Sequence, residues 1–340
     1  MAVRGTAARC FSGRISLRRA LWYNDSRPLL CGKRAQERTG RKNLPGPRQH
    51  IHANMQKRGE YVFVEGASPV HSMIVKSKRK CEYDELGFYK RIFLEGKTAL
   101  VVGVGGLGEP IAEALLQNGA NLVLAGRKLT QSPLQEEARA LGRKCLLLHV
   151  DLQDEASIIS MVQRAEEETG GIDILVNAAG VNQLKKAEEY DAETWDFVMG
   201  VNLRGLHFVT REVGKGMIAR RYGRILSISS VKSIIGTDQD YIAYCASKGA
   251  LNMYTKQLAC EWGKYGITVN AIAPTFTRTP INSFQLDDPV FYDALVKRIP
   301  LGRICTAKDL GCAALYLCSD AAAFVSGQVL CVDGGLTAKQ

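Results

Sequence analysis

The chain has 340 residues, 46% hydrophobic and 23% charged, which is enough apolar content to bury a full core and too much for a disordered chain. Its formal net charge of +11 is concentrated at one end: residues 1–59 carry fourteen Lys and Arg against Asp25 and Glu37, so the remainder sums to about −1. A near-neutral body behind a basic tail argues against a basic docking face for nucleic acid on the fold.

From Met1 to Asn24 there is no acid, and Arg4, Arg9, Arg14, Arg18 and Arg19 are interspersed among Ala, Ser and Gly. That composition predicts an organelle transit peptide, with the mitochondrial matrix as the expected destination; read instead as a solvated extension, the same leader would leave the protein cytoplasmic. The apolar stretch 15–23 is broken by Arg18 and Arg19, so neither a secretory signal nor a membrane span is expected. Residues 60–93 continue as an irregular extension with the basic run Lys76–Lys80, and no function is read from them. Ten cysteines contain no CxxC pair and no His spacing suited to zinc, which predicts reduced, mostly buried thiols and no metal site.

From Lys97 onward, short β-branched runs alternate with helical patterns. Strands are predicted at 98–102, 121–125, 145–150, 172–176, 224–229, 268–273 and 328–332, each a continuous apolar run of the kind covered on both faces. Helices are predicted at 109–118, ended by Gly119, and at 155–169, ended by Gly170-Gly171. The βαβ alternation implies one doubly wound α/β (Rossmann) domain over residues 94–337, with a seven-stranded parallel sheet and helices on both faces.

The first strand-to-helix turn reads Gly103-Val-Gly105-Gly-Leu-Gly108. Between strand and helix such glycines let a pyrophosphate approach bare backbone at a helix N-terminus, which predicts a dinucleotide cofactor held at Gly103, Gly105, Leu107 and Gly108. After the second strand, where an acid would grip the adenosine ribose, stands Arg127, a guanidinium that favours the 2′-phosphate of NADP over NAD. Asp151 and Leu152 follow the third strand; Asp151 suits either the adenine amine or the N-cap of the next helix. Farther on, Tyr244-Cys-Ala-Ser-Lys248 puts a phenol and an ammonium on one helical face, and the cation is expected to lower the phenol's pKa into the range of an acid–base group. Ser229 and Ser230 lie upstream.

This ordered set resembles the classical short-chain dehydrogenase/reductase family from about Leu94 to Thr337: the glycine turn, Asn177-Ala-Ala-Gly180, Asn202 in Val-Asn-Leu, Ser230, Tyr244 with Lys248, Ala273-Pro274 followed by Thr279-Pro280, and the tail Val325 to Gly335. The resemblance implies that Tyr244 exchanges a proton with the substrate oxygen, Lys248 assists it and holds the nicotinamide ribose, Ser230 hydrogen-bonds the developing alkoxide, and Asn202 holds a relay water. Ser227, Ser229 and Ser233 rank below Ser230, and Tyr241 below Tyr244. Asn177, Gly180 and Thr277 are expected to contact the cofactor, and a homotetramer is expected from pairing of the helices that carry Asn202 and Tyr244. Three departures stand out: the glycine turn is one residue short and lacks its threonine, Ala178 replaces an Asn, and Thr275 replaces a glycine.

Glu261-Trp262, Ile299-Pro-Leu-Gly-Arg303 and the stretch 230–233 are similar to the sugar-acid branch of that family, the gluconate 5-dehydrogenases and deoxygluconate dehydrogenases. A substrate such as gluconate or 5-ketogluconate requires a cation for its carboxylate, and Lys185, Lys186 and Lys232 are candidates, on loops at the carboxyl edge of the sheet. An organellar 3-oxoacyl-thioester reductase is the alternative enzyme; a non-catalytic scaffold subunit is the alternative of another class.

Overall fold

In the first strand, β1 (Thr98–Val102), every residue is buried, and the side chains divide by parity. Ala99 and Val101 enter one core layer, and Leu100 and Val102 enter the other. A strand packed on both faces therefore shows an unbroken apolar run rather than alternation. The computed structural model describes residues 89–279 and 282–339, so the basic leader and most of the following extension lie outside the described residues.

The other strands are β2 (Asn121–Gly126), β3 (Cys145–His149), β4 (Ile174–Asn177), β5 (Gly223–Ile228), β6 (Ile267–Pro274) and β7 (Val329–Val332). They form one parallel sheet in the order β3-β2-β1-β4-β5-β6-β7, the predicted doubly wound architecture. The strand order reverses between β1 and β4, and the crevice at the carboxyl ends of these two strands is where such sheets receive ligands. β4 starts two residues later than predicted: Asp173 approaches β1 with its own backbone, and its carboxylate accepts from the Thr98 N–H at 3.0 Å before the ladder begins. The edge strands β3 and β7 are only partly covered.

The helices are α1 (Glu109–Gln117), α2 (Leu134–Ala140), α3 (Glu155–Thr169), α4 (Ala192–Met199), α5 (Leu206–Arg220), α6 (Ile242–Trp262), α7 (Ser283–Leu286), α8 (Pro289–Arg298) and α9 (Ala307–Cys318). α1 and α9 bury Ile111, Leu115, Leu310 and Leu317 on one face of the sheet; α3, α5 and α6 bury Ile158, Val162, Val213 and Leu251 on the other. α3 ends as predicted, with Gly170 in the left-handed conformation at φ +78°. α7 and α8 share a small core of their own, built from Leu286, Leu295 and Ile299 with Phe276 and Phe291.

Two expectations need correction. The N-cap of α3 is Asp154, whose carboxylate accepts from the Ala156 N–H, while Asp151 accepts from the Gln153 N–H in the preceding turn. The helix therefore starts one turn beyond Asp151. Among the described cysteines, Cys305 and Cys318 are buried, but Cys260 and Cys312 are exposed.

Candidate active site

The glycine turn runs from β1 directly into α1. Gly103 sits at φ +95°, and a Cβ there would stand 2.4 Å from the Ala179 backbone nitrogen; at Gly108 it would stand 2.1 Å from the Gly103 carbonyl oxygen. These two glycines are demanded by the protein's own packing. At Gly105 and Gly106 a Cβ would meet nothing within 4 Å, so there the bare backbone faces open space beside the α1 N-terminus. A cavity of about 150 Å³ continues from the turn, with Gly103, Arg127, Asp151, Leu152, Ala179 and Val181 among its lining residues. Arg127 is exposed at its rim.

The reacting groups gather at the carboxyl ends of β5 and β6. Tyr244 and Lys248 lie one turn apart on α6, and Lys248 is only 3% exposed. Its Nζ donates to the Ile228 carbonyl at the end of β5 at 2.7 Å and lies 5.7 Å from the centre of the Tyr244 ring. Ser230, 7% exposed, follows β5, and its hydroxyl lies close enough to the Tyr244 phenol to pull its pKa down. The competing serines are committed elsewhere: Ser229 Oγ donates to Asn252 Oδ1 at 2.6 Å, Ser233 Oγ donates to the Ser230 carbonyl, and Ser227 is buried within β5.

The electrostatics differ from the sequence expectation. Burial pushes the Tyr244 phenol up to about 12, against a smaller downward pull from the Ser230 hydrogen bond, and burial also holds the Lys248 ammonium down to about 8. Lys248 is not what sets the phenol's pKa in the ligand-free site. The lysine reaches past the tyrosine to a strand carbonyl, and loss of solvent dominates both groups. The arrangement still provides a proton donor and acceptor, with a lysine close to neutral pH beside it.

Asn202 is fully buried in a π-helical turn, Gly200–Gly205, that joins α4 to α5. Such a turn adds a residue to the helical cycle and swings a side chain inward. Both ends of its amide are spent: Oδ1 accepts from the Val181 N–H at 2.7 Å, and Nδ2 donates to the Val181 carbonyl at 2.8 Å and to Ser247 Oγ at 3.1 Å. The side chain clamps the loop after β4. Gly180 lies between the two groups; a Cβ on it would stand 3.3 Å from Lys248 Nζ and 3.6 Å from Asn202 Oδ1.

The remaining expected cofactor contacts are less direct. The Asn177 side chain is buried and donates to Thr210 Oγ1 at 2.9 Å, so it braces β4 against α5. Thr277 is buried too, with its hydroxyl toward the Thr275 carbonyl and a β-bridge to Cys305. Leu107 packs against the core beside α1. Lys185 pairs with Asp191, and Lys186 lies 3.5 Å from Glu189. Lys232 instead stands over the Tyr241 ring, 4.6 Å from its centre, and that ring meets Tyr244 edge-on at 6.1 Å. Sequence reasoning missed Val181, Ser247 and Gly106, because the first two matter only as tertiary partners of Asn202 and the third was passed over inside the glycine run. Among the described residues no group of His, Cys, Asp and Glu is arranged to hold a metal, and no helix is long and apolar enough to cross a membrane.

Comparison with known proteins agrees with this geometry. A sequence profile described as enoyl-(acyl carrier protein) reductase matches residues 103–337. The gluconate 5-dehydrogenase of Gluconobacter oxydans is 37% identical over 246 residues, covering 72% of this chain and 96% of its own. An NAD-dependent glycerol dehydrogenase of Listeria innocua is 37% identical over 254 residues, covering 74% and 98%. Among solved structures, a gluconate 5-dehydrogenase from Burkholderia cenocepacia, in complex with NADP and tartrate, superposes with a TM-score of 0.70 at 36% identity, covering 74% of this chain and 98% of that one. With the glycine turn, the Ser230–Tyr244 contact and the Tyr244–Lys248 pair on one sheet edge, the chain belongs to the short-chain dehydrogenase/reductase family.

Proposed function

We propose that this protein is an NADP-preferring oxidoreductase that interconverts a secondary alcohol and a ketone on a sugar acid of the gluconate/5-ketogluconate type. The observation that carries the redox reading is the convergence of Ser230, Tyr244 and Lys248 at the carboxyl edge of β5. The residues present fit a dinucleotide: the cradle is open at Gly105 and Gly106, where a side chain would fill the space a pyrophosphate needs, and Arg127 and Asp151 line the adjoining cavity. Gly103, Gly105, Leu107 and Gly108 would hold the diphosphate, Arg127 the 2′-phosphate, and Asp151 with Leu152 the adenine end. NADP supplies hydride-transfer chemistry when bound.

The chain's own residues account for the proton. In the ketone-reducing direction the Tyr244 O–H donates to the carbonyl oxygen, and its pKa of about 12 in the ligand-free site keeps the phenol protonated and ready to donate at neutral pH. Ser230, beside that phenol, would donate to the same substrate oxygen. Lys248 would take up or release the proton that replenishes Tyr244, since burial brings it to about 8. Asn202 keeps the loop carrying Gly180 and Val181 in place against Lys248.

The sugar-acid assignment is supported by the identity to gluconate 5-dehydrogenase and by the tartrate, itself a hydroxy acid, in the Burkholderia relative. Location in the mitochondrial matrix through the basic leader, and assembly as a homotetramer, complete the proposal. The test is a panel of sugar acids, neutral polyols and 3-oxoacyl thioesters assayed with NADP(H) and NAD(H). The expected result is highest kcat/KM on a sugar acid with NADP(H); turnover of thioesters alone, or NADPH binding with no turnover of any member, refutes it.

A further inference from the structure

Lys232 follows Ser230 by two residues in the 3-10 turn Val231–Ser233, and its own N–H donates to Ser230 Oγ at 3.2 Å. The backbone that places the serine therefore also places this lysine. Its ammonium is half-buried on the face of Tyr241, whose ring in turn meets Tyr244. One aromatic ring thus separates a cation from the reacting phenol. Unlike Lys185 and Lys186, Lys232 forms no ion pair among the described residues. The Tyr241 ring, just before α6, lies under it; Cys245 of α6 and Asp238 of the intervening loop favour its charge, and Arg298 at the end of α8 disfavours it at a distance. A half-buried ammonium that rests on an aromatic ring, with no carboxylate paired to it among the described residues, is a cation that lacks its anion.

We propose that Lys232, seated on Tyr241, receives the carboxylate of a polyhydroxy-acid substrate whose reacting carbinol lies several carbons away, at Tyr244. This rests on the redox reading of Ser230, Tyr244 and Lys248, and it adds a reason for the site to take acids in preference to neutral polyols. A carboxylate at the Ser230 turn gains a charge-assisted contact to Lys232 that a neutral polyol does not.

The test titrates D-gluconate into the full chain saturated with NADPH, an alcohol paired with reduced cofactor so that no turnover intervenes, and measures heat of binding. D-glucitol, the uncharged counterpart, serves as control. The wild type is expected to bind gluconate at least tenfold more tightly than glucitol. Lys232→Gln is expected to lose about tenfold or more of gluconate affinity, equivalent to about 1.4 kcal/mol, with NADPH affinity retained. Lys232→Arg recovers most of that loss. Equal wild-type affinity for gluconate and glucitol, or unchanged gluconate binding in Lys232→Gln, overturns the inference. Oxidation of neutral polyols without gluconate binding overturns it and leaves the redox reading standing. Lys232-dependent gluconate binding by an enzyme that turns over no alcohol upholds the carboxylate contact alone and sinks the redox reading with the placement of the carbinol at Tyr244.

Discussion

Replacing Lys248 with Met should make the ligand-free protein more stable while removing its activity. Lys248 is 3% exposed, and burial displaces its ammonium from 10.5 to about 8, which at neutral pH corresponds to about 3 kcal/mol of folding free energy set against holding the charge. Methionine has a similar length and no charge to desolvate. It gives up the charge-assisted bond to the Ile228 carbonyl, worth about 2 kcal/mol. The net expectation is a gain of about 1 kcal/mol at pH 7, or about 3 °C in Tm for a domain of this size. The gain has a defined pH course. Below pH 8 it is fully present, because the folded wild type carries its full penalty; between 8 and 10.5 the unfolded chain binds more protons than the folded one, so wild-type stability rises with pH and the gap narrows; above 10.5 the penalty is gone and the variant, which still lacks the Ile228 bond, is the less stable of the two. Urea unfolding of both proteins across pH 7 to 10.5 reads this directly, alongside a fall in kcat of at least about 100-fold. A Lys248→Met protein less stable than wild type at pH 7, or a gap that does not change between pH 8 and 10.5, refutes the reasoning.

Arg127→Asp should raise the Kd for NADPH at least about tenfold, through loss of a charge-assisted contact, and leave NADH binding equal or improved; parallel changes for both cofactors would show that Arg127 does not read the 2′-phosphate. Gly103→Ala places a Cβ 2.4 Å from the Ala179 nitrogen in a left-handed backbone, so chemical denaturation should show a loss of about 2 kcal/mol or more together with loss of NADPH binding, and a variant of wild-type stability contradicts the packing described.

How far the sequence reaches depends on whether the determining contact is local. β1 could be read because two-sided burial writes itself as an unbroken apolar run, and the end of α3 because only glycine sits comfortably at the φ of +78° found at position 170. The Tyr244–Lys248 spacing is a property of one helix. The sign of the Tyr244 pKa shift is not: it comes first from burial, which outweighs the pull of the Ser230 hydroxyl, and the cation one turn away is not among its causes. Asn202 shows the same limit, since its partner Val181 is twenty-one residues away and meets it only because a π-helical turn rotates the side chain inward. Asp151 and Asp154 both fit a cap by residue type, and only the backbone of the turn decides between them. Among three lysines at one sheet edge, the sequence gives no sign that Lys185 and Lys186 find acids a few residues away while Lys232 finds an aromatic ring.

The central claim is that Tyr244, with Ser230 and Lys248, moves the proton of an NADP-linked alcohol/ketone reaction. It is tested most directly by comparing wild type and Tyr244→Phe for oxidation of gluconate with NADP, following NADPH formation and ketone product together, with NADPH affinity measured in parallel. The account predicts one NADPH per ketone in the wild type, and for Tyr244→Phe a kcat lower by at least about 100-fold with cofactor affinity retained. A Tyr244→Phe enzyme that turns over at the wild-type rate would contradict it.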